Sequence, residues 1–468
     1  MKYISTRQSA PALNFEEVVL QGLAVDGGLY VPEFFPKFSK SEIEEMVKLD
    51  YPDLVFKIIS PFIDNEIPAK ELKEIIAKSY QTFSHKAIAP TKQLSHNEYL
   101  LELFHGPTLA FKDFALQMLG NILNYFLTKR NQKVTIVGAT SGDTGSAAIM
   151  GCKQCENADI FILHPYNKVS DVQRKQMTTV KAKNVTNIAV KGNFDDCQAM
   201  VKSMFANQDF LKGRKMVAVN SINWARIMSQ IVYYFYCATR VGISTKYPVS
   251  FSVPTGNFGD IYAGYIAKKM GLPINKLIVA TNQNDILTRF IKNNDYSTNE
   301  LIETLSPSMN IQVSSNFERL LFDAYKNFGL EKEVAKLMAE FENTKSLKVK
   351  NDVIKFVNEY FDSYSIDDKE TLALIKTLYQ ETEEVIDPHS IIGIGAGREF
   401  MKTKDYKGEA VITLATAHPA KFPEAIKKSL GIKVNLPNFL SDLMDKKEEM
   451  EILANDLEVV KEFISGHC

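Results

Sequence analysis

The segment HGPTLAFKDFALQ, residues 105–117, sets Lys112 between Phe111 and Phe114 where a helical pattern begins. A lysine ammonium is strongly hydrated and is rarely buried without a partner. Burial lowers the pKa of such an amine, and a neutral amine is a nucleophile able to form a Schiff base with an aldehyde. Taken alone, a snorkelling or ion-paired lysine, with Asp113 next door, is the commoner case.

Two loops elsewhere suit anions. TGNFGD, residues 255–260, has glycines at its corners and feeds a helical pattern, so consecutive N–H groups and a helix dipole converge on one point. That suits a phosphate ester, although a Gly-rich turn between strand and helix is more often only a tight turn. No Gly-Lys-Ser/Thr follows it, so it is not a Walker A loop. TSGDTGSAA, residues 140–148, offers hydroxyls and N–H groups at a helix start and suits a carboxylate; its plainer reading is an N-cap with a turn.

The elements that must position these loops read as α/β. KVTIVGA, DIFILHP, VTNIAVK, KMVAVN, FSVPTG, KLIVAT and AVITLAT are Val/Ile-rich runs of strand length, and amphipathic helical patterns lie between several of them. Strands spaced by helices imply a largely parallel, buried sheet, with ligands beyond the carboxyl ends of its strands. TSGDTGSAA, TGNFGD and TAHPAKF (416–422) all follow such strands. The expected organisation is an N-terminal domain over 1–96, a large domain from 97–131 and 240–436 with a mostly helical insertion at 282–388, and a small α/β domain over 132–239. A charged amphipathic helical tail over 437–468 completes it. GIGAGREF, residues 393–400, lacks full dinucleotide-fingerprint spacing and reads as a structural turn.

An imine-forming lysine, a phosphate loop and a carboxylate loop together fit pyridoxal 5′-phosphate, which brings an aldehyde and a phosphate, and an amino-acid substrate, which brings a carboxylate. At the level of family, the stretches YISTR, GLAVDGGLYVPE, HGPTLAFKDFALQ, TSGDTGSAA, NSINWARI, PTGNFGD, SSNFERLLF, DPHS and LATAHPAKF resemble the threonine synthases over almost the whole chain. These belong to the β-family, or fold type II, of pyridoxal-phosphate enzymes. The resemblance implies two open, mostly parallel sheets flanked by helices, plus an N-terminal domain. It also implies the conversion of O-phospho-L-homoserine and water to L-threonine and phosphate, a lyase step of amino-acid biosynthesis.

Carried over residue by residue, the resemblance makes Lys112 the catalytic lysine that bonds to the cofactor. Gly256, Asn257, Phe258, Gly259 and Asp260 become the phosphate cradle, and Thr416 the hydroxyl facing the pyridine nitrogen. Asp143 stands where relatives often have an asparagine near the cofactor oxygen and the substrate carboxylate; an ionised Asp can only accept. Ser141 and Thr144 fall to the substrate carboxylate. Asn220, Ser221, Asn223 and Arg226 form the set for the substrate phosphate, with Lys421 a weaker candidate cation. Gln8 departs from the family where a glycine is expected after Arg7.

Composition narrows the rest. The 468 residues are 45% apolar and 24% charged with net charge −1, so there is no overall attraction to nucleic acid or anionic membrane. Five cysteines, Cys152, Cys155, Cys197, Cys237 and Cys468, make no disulfide framework, and the Cys152/Cys155 pair lacks the second pair a zinc site needs. No metal is expected. MKYISTRQSAPALNFEEV has no apolar run of signal-peptide type, and the expected location is the cytoplasm. The competing readings are a same-fold enzyme such as a threonine dehydratase or cysteine synthase, a non-catalytic cofactor-binding homologue, and a nucleotide-binding protein. The first would leave NSINWARI without a second anion, and the last lacks its motifs.

Overall fold

A computed structural model describes residues 1–243 and 247–467. Two sheets organise it. The larger has six strands in the order Phe361–Ser365, Ile274–Thr281, Val249–Pro254, Ala410–Ala415, Glu98–Glu102, Thr91–Gln93, all neighbours parallel except the last pair. The smaller has five parallel strands in the order Glu451–Leu453, Val185–Val190, Ala158–Pro165, Val134–Ala139, Lys215–Val217. The expected pair of open, mostly parallel sheets flanked by helices is what the chain forms.

Two long helices lie at the centre. Trp224–Val241 is buried along nearly its whole length, and Lys112–Arg130 is buried on most faces. The N-terminal elements pack onto the first: Tyr3 and Phe62 approach the Trp224 ring with centroids 5.9 and 5.8 Å away, and Tyr51 meets Tyr236 at 5.0 Å. Lys112–Arg130 crosses Asp143–Cys152 at a point where Gly120 and Gly151 face backbone carbonyls of the opposite helix. A Cβ on either would collide with that backbone. The crossing brings the starts of both helices, and so Lys112 and Asp143, together.

Two expectations change. GIGAGREF is not a turn but part of the helix Pro388–Met401, started by Asp387, whose carboxylate accepts from the His389 and Ser390 N–H groups. Gly393 serves helix–sheet packing, since a Cβ there would lie 2.8 Å from Thr413 Cγ2 and 3.1 Å from Pro254, while Gly395 lets Leu374 of the helix Asp368–Thr382 approach. The tail is not one helix. Glu451–Leu453 adds a strand to the edge of the small sheet, and only Leu457–His467 is helical, burying Val460 and Ile464. Pairing with an open sheet edge overrides the helical pattern there. Within the mostly helical 282–388, Phe361–Ser365 lies between the helices Asn351–Tyr360 and Asp368–Thr382 and extends the large sheet.

Gln8 adopts φ 60°, the left-handed region that glycine occupies most readily, which is why a glycine is the natural residue at that turn. Among the described residues no helix is long and apolar enough to cross a membrane.

Candidate active site

The helix Lys112–Arg130 starts at Lys112 itself, so its side chain leaves the first turn rather than the packed interior. The ammonium sits 4.8 Å from the Phe111 ring centroid and 3.4 Å from Asp143 Oδ2. The apolar setting read from the sequence is therefore a half-apolar one: an aromatic face on one side and a carboxylate on the other. Burial pushes the Lys112 pKa down; Asp143 opposes this, while Lys421 and Arg226 add to the lowering.

Asp143 is the hub. It is nearly buried and is met at Oδ1 by Lys421 Nζ (2.7 Å) and Gln173 Nε2 (2.8 Å), and at Oδ2 by Lys112 and the Ser308 hydroxyl (3.3 Å). Burial alone would raise this carboxyl, but Lys421 and Lys112 hold it well below the usual carboxylate range. It is thus an ionised acceptor surrounded by donors, with no proton to give.

Beyond the strand Val249–Pro254, residues 256–260 start the helix Gly259–Lys269. Phe258 takes φ 61° as its N-cap, and a Cβ on Gly256 would lie 2.8 Å from the Ser308 carbonyl. Among the described residues no backbone or side-chain acceptor takes the N–H groups of Gly256, Asn257 or Phe258, while the Asn257 carbonyl is fixed by Asn316. The next N–H groups belong to the open first turn of a helix. Free donors, a tight turn and the positive end of a helix make a cradle for a phosphate. Asp260 gives that cradle only its backbone: its Oδ1 takes the hydroxyls of Tyr233 (2.6 Å) and Tyr234 (2.9 Å), and burial pushes its carboxyl up to about 6.

Arg226 opens into the same pocket as Lys112, Thr144, Ser221, residues 256–260 and Thr416. Arg226 is 5% exposed, and its guanidinium has one long bond from Nη1 to the Val219 carbonyl (3.4 Å), no carboxylate partner among the described residues, and Nε without any acceptor. Burial pushes its pKa down to about 10. A buried cation left this way is costly until an anion arrives. Thr416 is held by both backbone groups, its N–H donating to Ser390 Oγ (2.9 Å) and its carbonyl accepting from the Phe111 N–H (2.8 Å), so strand end and lysine loop move as one. A lysine amine, a phosphate cradle and an additional unpaired cation in one pocket fit pyridoxal phosphate with a second anionic ligand.

Four residues of the expected set stand elsewhere. Asn223 is fully buried and caps its own helix, its Oδ1 accepting from the Ala225 N–H and its Nδ2 donating to the Val19 and Ala218 carbonyls. Asn220 is exposed and its Oδ1 accepts from the Ile222 N–H. Lys421 is buried between Asp143 and the Thr108 carbonyl (2.8 Å), and Ser141 is not part of the pocket wall. Three polar residues join that the sequence reading did not single out, Gln230, Ser308 and His389, together with the apolar Met309. The Ser308 N–H donates to His389 Nε2 (3.1 Å), leaving the ring proton on Nδ1 to be donated to Asp387 (2.9 Å). Gln230 stands one turn beyond Arg226, a spacing visible in NWARIMSQ, and His389 lies in DPHS; nothing near Ser308 marks it.

Comparison with known proteins agrees along the whole chain. A model of the threonine synthase N terminus matches residues 2–80, one of pyridoxal-phosphate dependent enzymes residues 80–348, and one of the threonine synthase C-terminal region residues 390–464. The threonine synthase of Pseudomonas aeruginosa is 53% identical, the match covering 100% of this chain and 98% of the relative. The crystal structure of pyridoxal-phosphate-bound threonine synthase from Brucella melitensis superposes with TM-score 0.96 at 45% identity, covering 100% of this chain and 99% of the other. The yeast enzyme's structure gives 0.95 at 40% identity, covering 100% and 98%. Similarity of that extent in both sequence and backbone means that the chain belongs to the threonine synthase family, within the fold type II pyridoxal-phosphate enzymes.

Proposed function

We propose that the chain converts O-phospho-L-homoserine and water to L-threonine and phosphate, a reading carried above all by the buried, unpaired Arg226 in the wall of the Lys112 pocket. Bound pyridoxal phosphate supplies an aldehyde for the lysine and an electron sink that makes protons on the substrate's carbons removable. Lys112 is the residue that would hold that aldehyde, and its amine, when free, would accept and return protons at the substrate's Cα and Cβ. Its lowered pKa favours the proton-accepting form, and Asp143 keeps the amine in place.

Because Asp143 cannot donate, the substrate carboxylate takes its hydrogen bonds from the Thr144 hydroxyl and the N–H groups opening the helix Asp143–Cys152. Arg226 and Ser221 hold the phosphate that leaves from Cγ, where the fork of the guanidinium can make two bonds at once. Water then adds at Cβ. The four cysteines described are free and buried, which suits a reducing compartment and the cytoplasm as the place of reaction.

Holoenzyme given O-phospho-L-homoserine should release threonine and phosphate one to one, and should form no appreciable keto acid from L-threonine or L-serine. Keto acid from those two without turnover of the phosphorylated substrate would replace this reading with a dehydratase. Thr416 supports a further expectation. A neutral hydroxyl beside the pyridine nitrogen leaves it unprotonated, whereas a carboxylate there would favour the pyridinium. Thr416→Asp should shift the cofactor's absorbance band and depress turnover; an unchanged spectrum and rate would place Thr416 away from the ring.

A further inference from the structure

A second cavity, of about 460 Å³, lies between the C-terminal ends of the helices Asp143–Cys152 and Asp171–Thr178 and the short turns Asn438–Leu440 and Leu443–Asp445. It shares no lining residue with the pocket around Lys112. Its wall is apolar at Met150, Val180 and Leu443 and cationic at Lys153 and Lys181. Among the described residues neither lysine pairs with a carboxylate; Lys153 Nζ meets the Met150 thioether at 3.4 Å.

Gln176 adds a third kind of group. It is 5% exposed, and its Nε2 donates to the Thr108 carbonyl at 3.0 Å, which fixes the orientation of the amide. Its Oε1 is buried and has no donor. A buried acceptor without a partner is costly and calls for a ligand or water to complete it. Two helices end at this cavity, and the negative ends of their dipoles favour a positive group.

We infer that the cavity is a binding site for a free amino acid with an apolar side chain. The carboxylate lies between Lys153 and Lys181, the ammonium donates to Gln176 Oε1, and the side chain covers Met150, Val180 and Leu443. A plain organic anion leaves the Gln176 acceptor unmet, and a plain amine leaves Lys153 and Lys181 without an anion. The Thr108 carbonyl that takes Gln176 also takes Lys421 Nζ, and Lys421 holds Asp143. One turn before Gln176, Gln173 donates to the same carboxylate. The occupied cavity thus touches, by two routes, the group that holds the Lys112 amine.

The test is calorimetric titration of holoenzyme with L-leucine, alongside isocaproate, which lacks the ammonium, and isoamylamine, which lacks the carboxylate. The same titrations are run on Lys181→Glu, an exposed position, and on Val180→Trp, which fills the cavity. Leucine should bind the wild type about tenfold or more tightly than either analogue, a gap of about 1.4 kcal/mol. Both variants should lose about tenfold or more in leucine affinity while keeping wild-type turnover and cofactor absorbance without leucine. Equal leucine affinity in the wild type and both variants would overturn the proposal, as would isocaproate binding as tightly as leucine. Neither result depends on which reaction the Lys112 pocket performs.

Discussion

Lys112→Ala is expected to lack the yellow absorbance of the lysine-bound cofactor and to lose turnover by about 10³-fold or more, because one side chain provides both the covalent anchor and the proton-moving amine. The variant should still fold: Lys112 is at the first position of its helix, and its partners are the face of Phe111 and the outer edge of Asp143. Asp143 keeps Lys421, Gln173 and Ser308 after the change, so no carboxylate is left bare. The wild type offers an independent check. Borohydride reduction followed by peptide mapping should find the pyridoxyl group on the peptide containing residue 112, and a label on any other lysine would sink the assignment.

Arg226→Ala should lower kcat/KM for O-phospho-L-homoserine by about 10²-fold or more, since losing one charged partner of a buried ion costs roughly 2–5 kcal/mol. Binding of unphosphorylated serine, read from the cofactor spectrum, should change far less. An arginine that merely supported its helix through a carboxylate would give the opposite stability result. Its removal would lower the melting temperature and weaken both ligands alike. The guanidinium has no such carboxylate among the described residues and leaves Nε unpartnered, so the variant should melt at or above the wild-type temperature without ligand.

Much of the site was legible because its parts are contiguous. Lys112, a lysine amid aromatics at a helix start, and residues 256–260, a glycine-cornered turn after a strand, each have a plainer reading alone and stand out as a site only in combination. What stayed hidden depends on partners distant in the chain. Asn223 before a helix can either cap it or bind a ligand; only its bonds to Val19 and Ala218 reveal the cap. Lys421 looked like a ligand cation, but Asp143, far away in sequence, claims it. Ser308 reaches the pocket from the segment 282–388, which has no motif at that point. In the fold, Glu98–Glu102 and Glu451–Leu453 are too short to show a period of two, and GIGAGREF reads as an incomplete fingerprint turn because the close packing of Gly393 on Thr413 and Pro254 is visible only in three dimensions.

The central claim, that the pocket breaks the substrate's Cγ–O bond and then hydrates Cβ, is tested most directly by running the reaction in heavy-oxygen water and weighing both products. The account predicts the label in the threonine hydroxyl and none in the phosphate released. Label in the phosphate, with none in the amino acid, would mean that water attacks phosphorus, and would contradict it.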